Sequence, residues 1–343
     1  MKNILFNCFN KSDLNDKIFK LNRVWLSSNN ANVQKDDKNQ GFFYFEKKLR
    51  DNNYNVHTQD FWKKKDKIDL QINFAYHQEI ICNKSYLLLP ESKEIFSKND
   101  LNKLKEKYTK IFCQYDDYID NIKIFKINYP FIIKENFVNN FYERPFLSCM
   151  ISSNKSQKKK SQNDLYHKRF EIIKIAEQKY LENFRLYGMD WDLPFKKSGI
   201  EGRLLNYVNK LFKRKNLLKT YKGIIENKSD ILSKTKFVFC IENSSINGYI
   251  SDPIFDAFNN GCIPIYLGPK NINSYVPNDT FIDFNYFENI ESIFQYISSL
   301  SYEEYNQIQI NIKNFINSSK IELFNEEGFV SKILKHINMD IKK

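Results

Sequence analysis

The chain reads as an α/β protein, and three observations carry that reading. The first is the stretch from Lys236 to Pro269, KFVFCIENSSINGYISDPIFDAFNNGCIPIYLGP. Its apolar run Phe237 to Ile241 fits a buried strand, the segment after Asp252 a short helix, and Cys262 to Leu267 the next strand. The second is alternation in the N-terminal part. Strands are expected at Asn3 to Asn7, Asp69 to Phe74, Ser85 to Leu89 and Lys110 to Cys113. Between them lie amphipathic helices, Phe42 to Asn52 and Leu101 to Tyr108, the second behind an Asn99/Asp100 cap. The third is composition: 42% hydrophobic residues, with 30 Phe and 21 Tyr, supply a core and exclude a disordered chain despite the abundant Lys and Asn. Strand and helix in alternation predict βα domains.

At 343 residues the chain exceeds the usual single-domain size of about 100 to 200, so two domains are expected. The polar stretch Lys134 to Arg144 precedes a new strand, Pro145 to Ile151, which places the domains at 1–144 and 145–343. The second domain repeats the alternation through Asp283 and closes with helices at Ile290 to Leu300, Tyr302 to Asn317 and Glu327 to Met339. Ser301 and Glu304 have the spacing of a capping box for the middle one. The last helix carries Phe329, Ile333, Leu334 and Ile337 on one side, a face for packing on a domain.

Composition also limits function. The six cysteines are scattered, mostly in apolar strand-like runs without a C-x-x-C pair, which suits buried free thiols in a reducing compartment and offers no zinc site. After Met1 and Lys2 the apolar run is only Ile4 to Phe6, so neither a signal peptide nor a spanning helix is expected. A net charge of +12 admits nucleic acid, an anionic membrane surface or an anionic substrate as partner. No nucleic-acid motif accompanies it, and the lysines are interleaved with acids and Asn. The lysine run within Ser152 to Gln162 reads as a solvated loop.

Ligands of open α/β sheets bind beyond the carboxyl ends of the strands, and Glu242, Asn243, Ser244 and Tyr249 all fall there. Asn243 and Ser244 are also ordinary turn formers. Glu91 ends the apolar run SYLLLP, another carboxylate at a strand end. No D-x-D-type acidic motif stands in the region around Glu242 to Asp256, so no metal and no other cofactor is expected.

The run E-N…G-Y-I-S-D-P-I-F-D-A-F…G-C-I-P-I-Y-L-G-P resembles the donor-binding signature of the α-1,3/4-fucosyltransferases, glycosyltransferase family 10. That signature usually reads E-N…G-Y-[IV]-[TS]-E-K, then a helix, then G-x-[IV]-P-[IV]-x-x-G. SYLLLPES, SSNK…LYHKRFEII, FRLYGMDW and TYKGIIENKSDILSKTKFVF are similar to further family segments, in the same order, so the resemblance runs from about Ser85 to Leu300. It implies two Rossmann-like domains facing a cleft (GT-B type) and an inverting transfer of fucose from GDP-fucose to an N-acetylglucosamine-containing glycan, in α-1,3 or α-1,4 linkage. Glu91 would be the general base. Arg169, on a helix expected over Asp164 to Tyr180, would clamp the diphosphate, since a guanidinium fork suits phosphate oxygens. Tyr221, Lys222, Glu242, Asn243, Ser244 and Tyr249 would hold the donor. The partners implied are the nucleotide sugar and an acceptor of lipopolysaccharide or oligosaccharide type, handled by a soluble cytoplasmic member of the bacterial or viral type whose basic surface admits peripheral contact with the inner face of a membrane.

The chain departs from the pattern at one point. Asp252 and Pro253 stand where the family has Glu-Lys. The missing lysine normally faces the diphosphate, a charge-assisted contact worth about 1.5–3 kcal/mol. Asp252 as N-cap with Pro253 in the first helical position is the local reading, and Lys270, Lys222 or Lys228 is the expected substitute cation. The departure keeps two alternatives open: the same fold with another nucleotide-sugar donor, or a catalytically silent glycan- or nucleotide-binding relative.

Overall fold

The computed structural model describes residues 1–7, 40–58, 67–74, 79–89, 101–134, 141–156, 161–197, 199–212 and 217–341. In chain order the elements are β1 (Lys2–Asn7), α1 (Gln40–Asp51), β2 (Tyr54–Thr58), β3 (Leu70–Phe74), β4 (Ser85–Leu89), α2 (Leu101–Lys107), β5 (Lys110–Cys113) and β6 (Ile124–Lys126). There follow β7 (Phe146–Ile151), α3 (Tyr166–Lys179), β8 (Phe184–Tyr187), α4 (Gly199–Leu211), α5 (Ser229–Leu232), β9 (Thr235–Ile241), α6 (Asp252–Asn259) and β10 (Ile263–Leu267). The chain closes with β11 (Ile282–Asp283), α7 (Ile290–Ser299), α8 (Tyr302–Ile316) and α9 (Glu326–Ile341). The expected strands and helices of both halves appear within about two residues of these bounds. The Asn99/Asp100 cap and positions 157–160 of the lysine run lie outside the described residues.

The chain divides into two units: Met1–Ser92, Lys98–Ile132 and Ile321–Lys343 form one, Lys93–Ser97 and Ile133–Lys320 the other. The first unit is a parallel sheet of order β2-β1-β3-β4-β5-β6. Its core joins Ile4 and Phe6 of β1, Ile72 of β3, Tyr86 and Leu88 of β4 and Phe45 and Leu49 of α1 to Phe329, Ile333, Ile337 and Ile341 of α9.

That last helix distinguishes this division from one into 1–144 and 145–343. The stripe at 329, 333, 337 and 341 is a helical face that any sheet could cover. Its polar end settles the partner: Asp340 accepts from the Tyr86 hydroxyl at 2.5 Å and pairs with Lys110 Nζ at 2.8 Å, while Tyr54 donates to Asn338 at 2.6 Å.

The second unit is a parallel sheet of order β11-β10-β9-β7-β8. Both sheets start in the middle, step once to one edge, then cross the first strand and build outward. The reversal lies between β1 and β3 in one unit and between β7 and β9 in the other. β9 and β10 are buried almost throughout, as strands of a parallel sheet covered on both faces must be. The amino end of β9 is tied down by Arg144, 3% exposed, whose guanidinium donates to the carbonyls of Leu232, Thr235 and Asn260 at 2.6–2.8 Å. The capping box at Ser301 and Glu304 starts α8 as expected.

Of the cysteines, Cys113, Cys149, Cys240 and Cys262 are buried free thiols and Cys82 is half-buried; Cys8 lies outside the described residues. Burial pushes the Cys113 thiol up to about 11 and that of Cys149 to about 12, so both stay protonated. Among the described residues no helix is long and apolar enough to cross a membrane.

Candidate functional site

Five of the expected residues gather where β9 ends and α3 begins. Arg169 lies one turn into α3, and the chain puts it 8% exposed against the strand end. Its Nε donates to the Ile241 carbonyl at 3.2 Å, and Nη2 donates to that same carbonyl and to Asn243 Oδ1 at 3.0 Å. The Tyr166 ring sits 4.8 Å from the guanidinium carbon, a cation–π contact from the preceding turn of the helix. Burial lowers the arginine's pKa, but a guanidinium stays charged, so a cation is held at the carboxyl end of the central strand.

Asn243 is thereby oriented: Oδ1 accepts a hydrogen bond from Arg169 Nη2, and Nδ2 donates to the Tyr249 hydroxyl at 3.5 Å. Its carbonyl accepts from Leu165 N, and Ser244 bridges to Asp164, so the turn after β9 is stitched to the start of α3. Ser244 is wholly buried, and its Oγ has no hydrogen-bond partner among the described residues; the same holds for Ser152 Oγ just past β7. Two orphaned hydroxyls thus lie at the carboxyl ends of the two strands that flank the reversal. Buried polar groups are seldom left so.

Glu242 faces inward. It is 1% exposed and accepts from Ser251 N at 2.8 Å, from Ser251 Oγ and from the Tyr266 hydroxyl at 3.1 Å. Burial pushes its carboxyl up to about 7, against the lowering effect of the Ser251 hydrogen bonds. The carboxylate therefore anchors the entry to α6.

That anchoring corrects the expected helix start. Ser251 is the N-cap, extended and with its side chain turned to Glu242, so Asp252 becomes the first helical residue and Pro253 the second. Asp252 instead pairs with Lys228 Nζ at 2.6 Å, which also pairs with Asp256 one turn on. Burial alone would lower the pKa of Lys228, but the two aspartates outweigh it and hold it above the ordinary lysine value. Lys228 is thus committed to α6. Lys222 is exposed and donates to the Lys219 carbonyl at 2.9 Å, and Lys270 is exposed beyond β10.

Tyr221 pairs through its backbone with Leu186 of β8, and its hydroxyl donates to the Gly188 carbonyl at 2.8 Å. Gly188 has φ +124, and a Cβ there would stand 1.8 Å from the Ser152 carbonyl oxygen. Only glycine lets the ends of β7 and β8 approach so closely. Trp191 Nε1 donates to that same carbonyl at 2.6 Å, and Asn154, wholly buried, donates to the carbonyls of Asp190, Leu193 and Pro194 at 2.9–3.2 Å. The FRLYGMDW and SSNK segments thus interlock as one scaffold.

Glu91 lies outside the described residues. Sequence reasoning missed Ser251 and Tyr266 as partners of Glu242 and Asn154 as a hub, because no spacing rule marks a buried hydroxyl or amide. Among the described residues no group of His, Cys, Asp or Glu side chains is arranged to hold a metal ion.

Two parallel α/β sheets of this order fit the GT-B fold. Residues 208–311 match the model of the glycosyltransferase family 10 (fucosyltransferase) C-terminal domain. An α-(1,4)-fucosyltransferase of Arabidopsis thaliana is 33% identical over 79 residues, 22% of this chain and 20% of that protein. An α-(1,3)-fucosyltransferase of Helicobacter pylori is 29% identical over 94 residues, 27% of this chain and 20% of that protein. The alignments thus span about a fifth of these relatives' length. Among solved structures an α1,3-fucosyltransferase superposes with TM-score 0.55 at 15% identity, covering 100% of this chain and 90% of that one. An α-glucosyltransferase bound to UDP and DNA superposes with TM-score 0.53 at 10% identity, covering 99% and 100%. At such identities these likenesses establish the fold alone.

Proposed function

We propose that the chain transfers fucose from GDP-fucose to an N-acetylglucosamine-containing glycan, in α-1,3 or α-1,4 linkage and with inversion. The observation that carries this reading is Arg169 joined to Asn243 at the carboxyl end of β9, beside the orphaned hydroxyls of Ser152 and Ser244. A leaving diphosphate needs a fixed positive charge and hydrogen-bond donors, and an arginine preorganised on a strand end provides them without moving. Tyr249, Tyr221 and Lys222 would complete the donor site, and Lys270 would stand in for the lysine absent at Pro253. Glu91 would remove the proton of the acceptor hydroxyl as it attacks from the face opposite the diphosphate. Glu242 would act by fixing Ser251 and the start of α6.

A second reading, another nucleotide-sugar donor on the same fold, is favoured by one observation. The start of α6 presents Asp252 and, one turn on, Asp256, both paired with the single Lys228, where the family resemblance implies a lysine. Product analysis with GDP-fucose, GDP-mannose and UDP-sugars, each with and without EDTA, separates the two. Turnover of GDP-fucose alone, insensitive to EDTA, is expected; transfer only from another donor gives the site to the second reading, and no turnover with any donor points to a silent relative.

A further inference from the structure

The start of α6 carries the wrong charge for a site that takes a diphosphate. From Glu242 to Asp256 the sequence holds three carboxylates and no lysine or arginine, and Pro253 stands where the resemblance implies the segment's own cation. Asp252 and Asp256 are i and i+4 on α6, whose other face is buried through Ile254, Phe255, Ala257 and Phe258, so the two carboxylates share one side of the helix. Like charges so spaced repel. Asp252 also sits in the first turn, where its charge meets the positive end of the helix dipole that a phosphate would otherwise use.

One cation answers both acids, and it comes from another element. Lys228 lies at the N-terminal cap of α5, 24 residues before Asp252. Its Nζ stands 2.6 Å from Asp252 Oδ2 and donates to Asp256 as well. All three side chains are half-buried, where a charge is only partly screened and acts over several ångströms. The field of Asp252 reaches the strand end: burial comes first in raising the Glu242 carboxyl, but the charge of Asp252 adds to it, and Glu242 adjoins Asn243, the partner of Arg169. We propose that Lys228 is a positioning residue of the donor site: it neutralises Asp252 and Asp256, and so lets a diphosphate approach the start of α6 although Pro253 brings no cation there. Its role differs from that of Lys270, which would meet the ligand directly. The inference rests on the proposed donor site, but only on the diphosphate, which every candidate donor shares.

Calorimetric titration with GDP and with UDP, which carry the diphosphate without the sugar, tests it on full-length protein, each variant being read with whichever of the two the wild type binds more tightly. Lys228→Arg keeps the charge and should bind within about twofold of wild type. Lys228→Met keeps most of the stem and should bind about tenfold or more weakly at low salt, the gap narrowing at high salt. Adding Asp256→Asn to Lys228→Met removes one of the two uncompensated charges and should recover about threefold or more. Asp256→Asn alone leaves one acid to one lysine and should bind about threefold more tightly than wild type, which decides the matter even where Lys228→Met fails to fold. Lys228→Met that binds as wild type does, a double variant with no recovery, or Asp256→Asn that binds no better than wild type overturns the proposal and leaves Lys228 a tether between α5 and α6. Wild type that binds neither nucleotide fails the donor site itself, and the inference with it.

Discussion

The two sheets share a strand order, but the groups buried at their reversals differ in kind. In the first unit, Asn7 at the end of β1 donates to Asn73 of β3 at 2.9 Å, Gln71 donates to the same Oδ1 at 2.9 Å, and Asn73 donates to the Tyr108 hydroxyl at 2.8 Å. All are neutral. In the second unit the matching place holds Arg169 and Glu242, 8% and 1% exposed. A buried charge costs far more than a buried amide unless it is well partnered, so the fold does not need one there. The first unit shows that amides suffice to tie such strand ends together. On the proposed function, the second carries its cation for the donor's diphosphate.

The comparison can be broken at several points. The largest effect is expected at Gly188, whose φ of +124 and contact with the Ser152 backbone hold the ends of β7 and β8 together. Gly188→Ala should cost about 4 kcal/mol, from strain plus overpacking, read by denaturant unfolding, and should disable the site with it. In the first unit, Asn73→Ala removes the acceptor of the Asn7 amide, one of the two acceptors of the Gln71 amide and the donor to Tyr108, and should cost about 2 kcal/mol. If the account holds, its donor affinity by titration equals that of the wild type.

Glu242 gives a pH signature that the first unit's reversal lacks. Its carboxyl is raised from 4.5 to about 7 in the folded protein, so between those values the native state binds the extra proton and stability falls as pH rises. The stabilisation is full below about 4.5 and lost above about 7. Glu242→Gln cannot titrate, so the melting-temperature gap between wild type and variant should shift in the variant's favour from pH 5 to pH 8. A gap independent of pH contradicts the burial argument. The smallest effect is expected from Lys228→Ala. Its side chain is 34% exposed, and loss of the pairs with Asp252 and Asp256 should cost about 1 kcal/mol, shrinking at high salt.

Local pattern made much of this legible. The apolar runs of β9 and β10, the helix after Ser251 and the capping box at Ser301 and Glu304 are written in neighbouring residues, which is why their bounds were readable. β2 and β6, at the sheet edges, lack a distinctive run, and α4 went unread because its apolar face looks like any core face until exposure is known. The docking of α9 depends on contacts from Asn338 and Asp340 to residues more than 200 positions earlier, which no local rule reaches. At the site, the placement of Arg169 and Asn243 followed from family resemblance and strand-end position. The inward turn of Glu242 did not, since it rests on Ser251 and Tyr266, residues with no mark of their own.

The most direct test of the central claim, that the second unit's buried cation serves a nucleotide sugar, is calorimetric titration of GDP-fucose into wild-type protein and Arg169→Lys. An ammonium can hold the charge but cannot fork between the Ile241 carbonyl and Asn243. The account predicts saturable binding to the wild type and a loss of about tenfold or more in a variant that still melts cooperatively. Equal affinity in the two proteins, or no binding to the wild type, would contradict it.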